Sequence, residues 1–103
     1  MNQIDNLLAL LDKGQDNALL RFGLGNAYLQ ADDCTNACIH LQQATQQDPN
    51  YSAAWKLYGK ALTLCNAQHE AIRAYQQGIR IAEENGDIQA AKEMSVFLKR
   101  LQK

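Results

Sequence analysis

Shifted by 34 residues, the chain falls on itself. Leu24-Gly25-x-Ala27-Tyr28 lands on Tyr58-Gly59-x-Ala61-Leu62. Farther along, Ala37 lands on Ala71, Leu41 on Tyr75, Gln42-Gln43 on Gln76-Gln77 and Ala44 on Gly78. Few residues are identical, but the small and bulky classes agree over two successive helical stretches. A repeat of this length limits the fold severely. Each unit alone leaves an apolar face open, and a neighbour stacked on it closes that face. The stripe Trp55, Tyr58, Gly59 and Leu62 carries a glycine in a helix interior, where it costs about 1 kcal/mol relative to alanine. Such a glycine marks a place where another backbone comes close. Gly25 with Ala37 and Ala44, and Gly59 with Ala71 and Gly78, are therefore expected to be the contacts between paired helices.

Three-and-four spacing of apolar residues predicts six helices, over about 2–13, 17–31, 34–47, 51/52–65, 69–84 and 88–101. Gly14 is a left-handed stop for the first, and Asp16 a candidate N-cap for the second. Asp32 and Asp33 cap the third, and Asp48-Pro49-Asn50 ends it, because the residue before proline leaves the helical region. Asn66-Ala67-Gln68 forms a turn, and Asn85-Gly86-Asp87 stops the fifth helix and caps the sixth. Connections this short make neighbouring helices antiparallel.

Composition narrows the function. The formal charge is −1, so no bulk field draws the chain to nucleic acid or an anionic membrane. Lys99, Arg100 and Lys103 are too few for a nucleic-acid surface. No apolar run is long enough to span a bilayer, and residues 1–12 have no basic cluster of a secretory signal. Three cysteines cannot all pair with one another, and the expectation is free thiols in the cytoplasm. Neither a nucleophile–base motif nor a phosphate loop nor a carboxylate pair is present, so no enzyme is expected.

With these residues in view, the chain resembles the tetratricopeptide repeat family. Trp55, Tyr58-Gly59, Leu62, Ala71 and Tyr75 match its 34-residue helix–turn–helix pattern in one unit. Leu24-Gly25, Tyr28, Ala37, Leu41, Ala44 and Pro49 match it in another. Arg21 stands where the family prefers Trp or Leu, and Glu83 replaces the closing proline of the second unit. A partial third unit fits with a shift of 36, its two extra residues falling in Glu84-Asn85-Gly86-Asp87. The resemblance implies an all-α, right-handed superhelical stack of antiparallel hairpins in one domain. Residues 18–51 and 52–85 would be the full units, 2–14 an N-terminal capping helix and 86–103 a C-terminal capping helix. The first helix would be the second half of an upstream unit.

The resemblance also implies a protein-binding module of the adaptor, scaffold or co-chaperone kind. Its concave groove would be lined by Leu19, Phe22, Asn26, Leu29, Lys56, Lys60, Thr63 and Lys92. Lys56 and Lys60 lie one turn apart on one face, with Asn26 and Lys92 expected to flank them. Amide and ammonium donors in this pattern suit an acidic segment or a C-terminal carboxylate. Phe22 and Leu57 stand where the chaperone-binding members of the family carry clamp residues, against a full clamp. The groove can instead be filled by a second copy of the chain, since exposed apolar patches mark contacts.

Cys34-x3-Cys38 and Cys65-x3-His69 look like metal half-sites, and a thiol or metal protein is the remote third reading. Each pair straddles a helix start, however, and the two-residue cysteine spacing is absent, so neither metal nor cofactor is expected. Cys38 is expected as a small buried hydrophobe, Cys34 and Cys65 as turn residues, and His40 and His69 as solvent-facing.

Overall fold

The computed structural model describes residues 2–103. Among them are six helices and no strand: α1 (Gln3–Asp12), α2 (Ala18–Gln30), α3 (Cys34–Gln47), α4 (Ser52–Leu64), α5 (Gln68–Glu84) and α6 (Ile88–Leu101). Every end lies within a residue of the expected one, because the punctuation is chemical. The side chains of Asn2, Asn17, Asp33 and Asp87 each accept the N–H three residues on, from Asp5, Leu20, Asn36 and Ala90. Such a cap is worth about 1 kcal/mol. Asn17, not the expected Asp16, caps α2; the Asp16 carboxylate is bonded to Arg21 instead.

Four helices end in the same wrap. The N–H groups of Gln15, Asp33, Ala67 and Asp87 return to the carbonyls of Leu10, Tyr28, Leu62 and Ala82. The residue before each has positive φ: Gly14 at 89°, Asp32 at 59°, Asn66 at 62° and Gly86 at 77°. Glycine enters this region freely, and Asp and Asn tolerate it better than other side chains.

The helices pair as antiparallel hairpins, α2 with α3 and α4 with α5, whose starts are 34 residues apart. Helix α6 packs on α5 and α4, and α1 packs on α2. Leu24, Leu41 and Met94 are the largest fully buried side chains, with Ala37, Ala44, Ala71 and Ala82 sealed between helices. In each hairpin one glycine faces one bulky side chain, Gly25 against Leu41 and Gly59 against Tyr75. A Cβ at either glycine would come within 3.0 Å of that side chain. What the glycine admits is therefore a leucine or a tyrosine ring, rather than the second backbone anticipated from the sequence. Gly78 does the same for α6: a Cβ there would meet Met94 Sδ at 2.6 Å and Trp55 Cβ at 2.8 Å.

One irregularity separates the hairpins. Helix α3 has 14 residues and α5 has 17. Pro49 stops α3, and the residue 34 farther on is Glu83, which carries a backbone N–H and lets α5 continue. The extra length thus lies in α5, not in the turn before α6 as expected. Three polar ties then fix α6. Ser52 Oγ donates to Asp87 Oδ2 at 3.0 Å, Asn85 Nδ2 to the Asn50 carbonyl at 2.7 Å, and Gln68 Nε2 to the Leu101 carbonyl at 2.6 Å.

The backbones of α2 and α4 come close, as do those of α4 and α6, whereas among the described residues no Cα of α3 lies within 8 Å of a Cα of α5. A stack tight on one side and open on the other curves toward the tight side. The layer of α2, α4 and α6 is the one whose backbones lie closer together.

Gly59→Ala is expected to lose about 1–3 kcal/mol, the usual cost of overpacking against a ring that has little room to move. Gly23→Ala is the control, because its Cβ would meet only Leu7, at 3.8 Å. It should be neutral or gain up to about 1 kcal/mol from helix propensity. Urea unfolding of the two variants checks the difference.

Candidate functional site

The inner layer carries most of the residues singled out in the sequence. Leu19, Phe22, Asn26 and Leu29 share one face of α2 by their spacing. Leu19 is 72% exposed. Phe22 is half-buried, its ring 5.0 Å from that of Tyr51. Leu29 is half-buried against the cluster of Ala37, Leu41 and Ala61. On α4, Lys56, Lys60 and Thr63 also share a face. Lys56 Nζ lies 3.0 Å from Glu93 Oε2, so its charge is met within the chain. That ammonium, followed by Gln89, holds the Glu93 carboxyl below its ordinary value.

Lys60 and Thr63 are placed differently. With Leu64, Tyr75, Phe97, Arg100 and Leu101 they line a cavity of about 360 Å³ between α4 and α6. Its floor is aromatic: the Tyr75 and Phe97 rings are 5.8 Å apart. The Arg100 guanidinium lies 5.8 Å above the Phe97 ring, a cation–π arrangement. Burial pushes the Tyr75 phenol up, so it stays neutral near pH 7. The Thr63 hydroxyl donates to the Gly59 carbonyl at 2.8 Å. The result is an apolar depression edged by Lys60 and Arg100.

Lys92 is not part of it. It lines a separate cleft with Glu83, Ile88, Ser95, Val96 and Lys99. The face of α6 turned to α4 carries Glu93, Phe97, Arg100 and Leu101. The expected flanking of Lys56 and Lys60 by Lys92 therefore does not form, and Arg100 stands beside Lys60 instead. Phe97, Arg100 and Leu101 were missed. Their signal in the sequence is a second stripe on α6, next to the one through Ala91, Met94 and Leu98.

Arg21 occupies the place of a bulky apolar residue, and a polar cluster explains how. Its guanidinium holds both oxygens of Asp16, at 2.7 and 2.8 Å, and approaches His40 Nδ1 at 3.1 Å. Gln47 Nε2 donates to Asp16 at 2.8 Å. His40 stacks on Tyr28 with ring centroids 5.5 Å apart, and only 8% of it is exposed. The expectation of a solvent-facing His40 is overturned: Arg21 and Tyr28 enclose it. Burial first, then the Arg21 charge, lowers the His40 pKa, and Asp16 only partly opposes them. Hydrogen bonds from Arg21 and Gln47 hold the Asp16 carboxyl far below the usual carboxylate range.

The cysteines also depart from expectation. Cys34 and Cys65 are not separate turn residues but a disulfide, with Cα atoms 5.7 Å apart. Cys38 is half-buried, and its Sγ lies 3.9 Å from Cys65 Sγ. Burial and the Glu70 carboxylate push the Cys38 thiol up. Cys34 and Cys65, bonded to each other, are not available as metal ligands, and among the described residues no three His, Cys, Asp or Glu side chains are gathered to hold an ion. His69 is exposed. No helix among the described residues is long and apolar enough to cross a membrane.

No family model matches the chain. It is 52% identical over 98 residues to a TPR repeat-containing protein of Pseudomonas aeruginosa, covering 95% of this chain and 93% of the relative. The solution structure of a Bordetella parapertussis protein superposes with a TM-score of 0.85 at 40% identity, covering 99% of this chain and 89% of that one. The crystal structure of a tetratricopeptide repeat domain protein from Salinibacter ruber superposes with a TM-score of 0.78, covering 84% of this chain and 97% of that one. At 23% identity, that last likeness bears on the fold alone.

The polar cluster has a pH signature. His40 has a lower pKa folded than unfolded, so the unfolded state binds the extra proton as pH falls. Its contribution is complete above the unfolded value of about 6.5 and is lost as pH drops from there through the folded value. Asp16 keeps its contribution until pH falls below its unfolded value of 3.8. Between pH 7 and 5 the melting temperature of the wild type should therefore fall more than that of His40→Phe. Equal slopes would show that His40 is not held neutral.

Proposed function

The chain belongs to the tetratricopeptide repeat family, and from that premise we propose that it binds an extended peptide of a partner protein along the layer of α2, α4 and α6. Units 18–51 and 52–85 form the body of this module, with 2–14 and 86–103 as its end helices. The observation that carries the reading is the cavity between α4 and α6. An apolar side chain of the partner fits over Tyr75, Phe97 and Leu101, and a neighbouring carboxylate meets Lys60 and Arg100. This favours a segment with a bulky apolar residue beside an acid or at a free C-terminus. Lys56 contributes little, because binding there must first break its contact with Glu93. The role is that of a non-catalytic adaptor or scaffold. Cytoplasmic residence suits the chain with its thiols reduced, and the Cys34–Cys65 bond suits an oxidising surrounding.

An array of acidic peptides ending in Leu or Phe, followed by fluorescence anisotropy on those retained, tests this reading. Lys60→Glu and Arg100→Glu are each expected to weaken binding by about tenfold or more, from loss of a charge-assisted contact plus repulsion. Lys92→Glu should leave it unchanged. Raising the salt concentration should weaken it, as screening demands. Equal affinities for all three variants would overturn the assignment.

Self-association is the second reading, and one observation favours it: Leu19 is 72% exposed on the same layer. Phe22 is a poor probe of it, since its ring already packs on Tyr51. Light scattering on wild type and Leu19→Glu at high protein concentration decides the matter. A dimer that the charge dissolves supports the second reading, and a wild-type monomer removes it.

A further inference from the structure

Three sulfurs meet where α2 turns into α3 and α4 turns into α5. Cys34 is the first residue of α3, Cys38 lies one turn along the same helix, and Cys65 is the C-cap of α4. Residues four apart on a helix present their side chains to the same side. Both α3 cysteines therefore reach Cys65, one as its disulfide partner and the other as a thiol at 3.9 Å. We infer that the three form a thiol–disulfide exchange site, with Cys65 as the pivot between two alternative partners and Cys34 as the thiol that exchange sets free for covalent modification.

The step is balanced without an outside oxidant. The Cys38 thiol gives its proton to solvent, and its thiolate attacks Cys65 Sγ. The Cys38–Cys65 bond forms as the Cys34–Cys65 bond breaks, and Cys34 leaves as a thiolate that takes up a proton from water. The leaving sulfur sits at the N-terminus of α3, whose dipole favours negative charge, while the Asp33 carboxylate that caps the helix partly opposes it. Attack is restrained, because the sites facing Cys38 hold its proton on. Foremost is the burial against Leu62, Ala71 and Ala74 and, after it, the Glu70 carboxylate on α5; the half-buried Tyr58 on α4 faces the thiol as a neutral phenol. Exchange is accordingly slow at neutral pH and quickens as pH rises.

The two forms differ at the surface. Cys34 lines a small cleft of about 180 Å³ with Leu29, Asp32 and Leu64. Leu64 also borders the cavity edged by Lys60 and Arg100. Freed from Cys65, the Cys34 thiol faces that cleft and can form a mixed disulfide with a low-molecular-weight disulfide, releasing one equivalent of the small thiol. The bonded form offers no such thiol.

Alkylation of the oxidised native protein at pH 8, followed by acid quench and peptide mapping, tests the inference. It is expected to find the label on Cys34 in a substantial share of chains, with Cys38 and Cys65 recovered as a disulfide in those same chains. Cys38→Ser, checked for an unchanged helical spectrum, should take no label. Cys34→Ser, treated with oxidised glutathione, should form the Cys38–Cys65 disulfide. Label confined to Cys38, no label at all, or three labelled thiols would each overturn the proposal. So would a Cys34→Ser chain whose Cys38 remains fully alkylatable after that treatment. These readouts are independent of peptide binding.

Discussion

The arrangement depends on one kind of contact, a bulky side chain of the second helix seated on a bare glycine of the first. Leu41 occupies the space over Gly25, and Tyr75 the same space over Gly59. The two contacts are 34 residues apart on both partners, which is the structural meaning of the repeat. Each glycine costs its helix about 1 kcal/mol of propensity. Full burial of a leucine side chain returns about 1.5–3 kcal/mol, so the exchange is favourable. It also sets geometry. A side chain that fits at one place only fixes how far α3 slides on α2 and α5 on α4, and so determines which residues of α4 are left on the layer shared with α2 and α6.

The same position in the two hairpins is solved with opposite chemistry. Trp55 closes the second hairpin with an apolar ring and satisfies its indole N–H on the Pro49 carbonyl at 2.9 Å. Arg21 closes the first with a charge, and so has to bring its partners along. Asp16, Gln47 and His40 are the groups that make the substitution tolerable, and they come from the turn before α2 and from α3. A charge in a half-buried place is acceptable only when paired and hydrogen-bonded. That requirement is why His40 is drawn inward.

Much of this was legible beforehand. Helix ends followed from Gly14, Asp33, Pro49 and Asp87, whose effects are local and need no knowledge of neighbours. The hairpin pairing followed from the register of small and bulky residues. What escaped depends on residues far apart in sequence. Helical spacing locates the Ala37–Leu41–Ala44 stripe but not its width, so by spacing alone His40 falls on the solvent side; Arg21 supplies its partner from another helix. The disulfide escaped because three cysteines suggest free thiols. Yet Cys34 opens α3 just after one hairpin turn, and Cys65 sits at the corresponding turn one repeat later, so stacking alone brings those turns together. Lys92 lies apart from Lys60 for a related reason. Register along the chain gives the order of residues on a helix, but the face it turns to α4 is set by how α6 is held at its ends.

That last point links a single missing proline to the candidate site. With Pro49 the chain leaves α3 after Gln47; with Glu83 in the equivalent place, α5 continues to Glu84. The start of α6 then lies beyond the position that strict repetition would give it, and Asp87 and Asn85 tie it back to Ser52 and Asn50 at the start of α4. Anchored there, and by Gln68 to the Leu101 carbonyl at its far end, α6 presents Glu93, Phe97 and Arg100 to α4. Glu93 takes Lys56 out of play, while Phe97 and Arg100 complete the depression that Lys60 borders. A proline at 83 would take away the N–H that continues the last turn of α5, next to the ties made by Asn85 and Asp87. The shape of the cavity is therefore set by where a neighbouring helix is allowed to end.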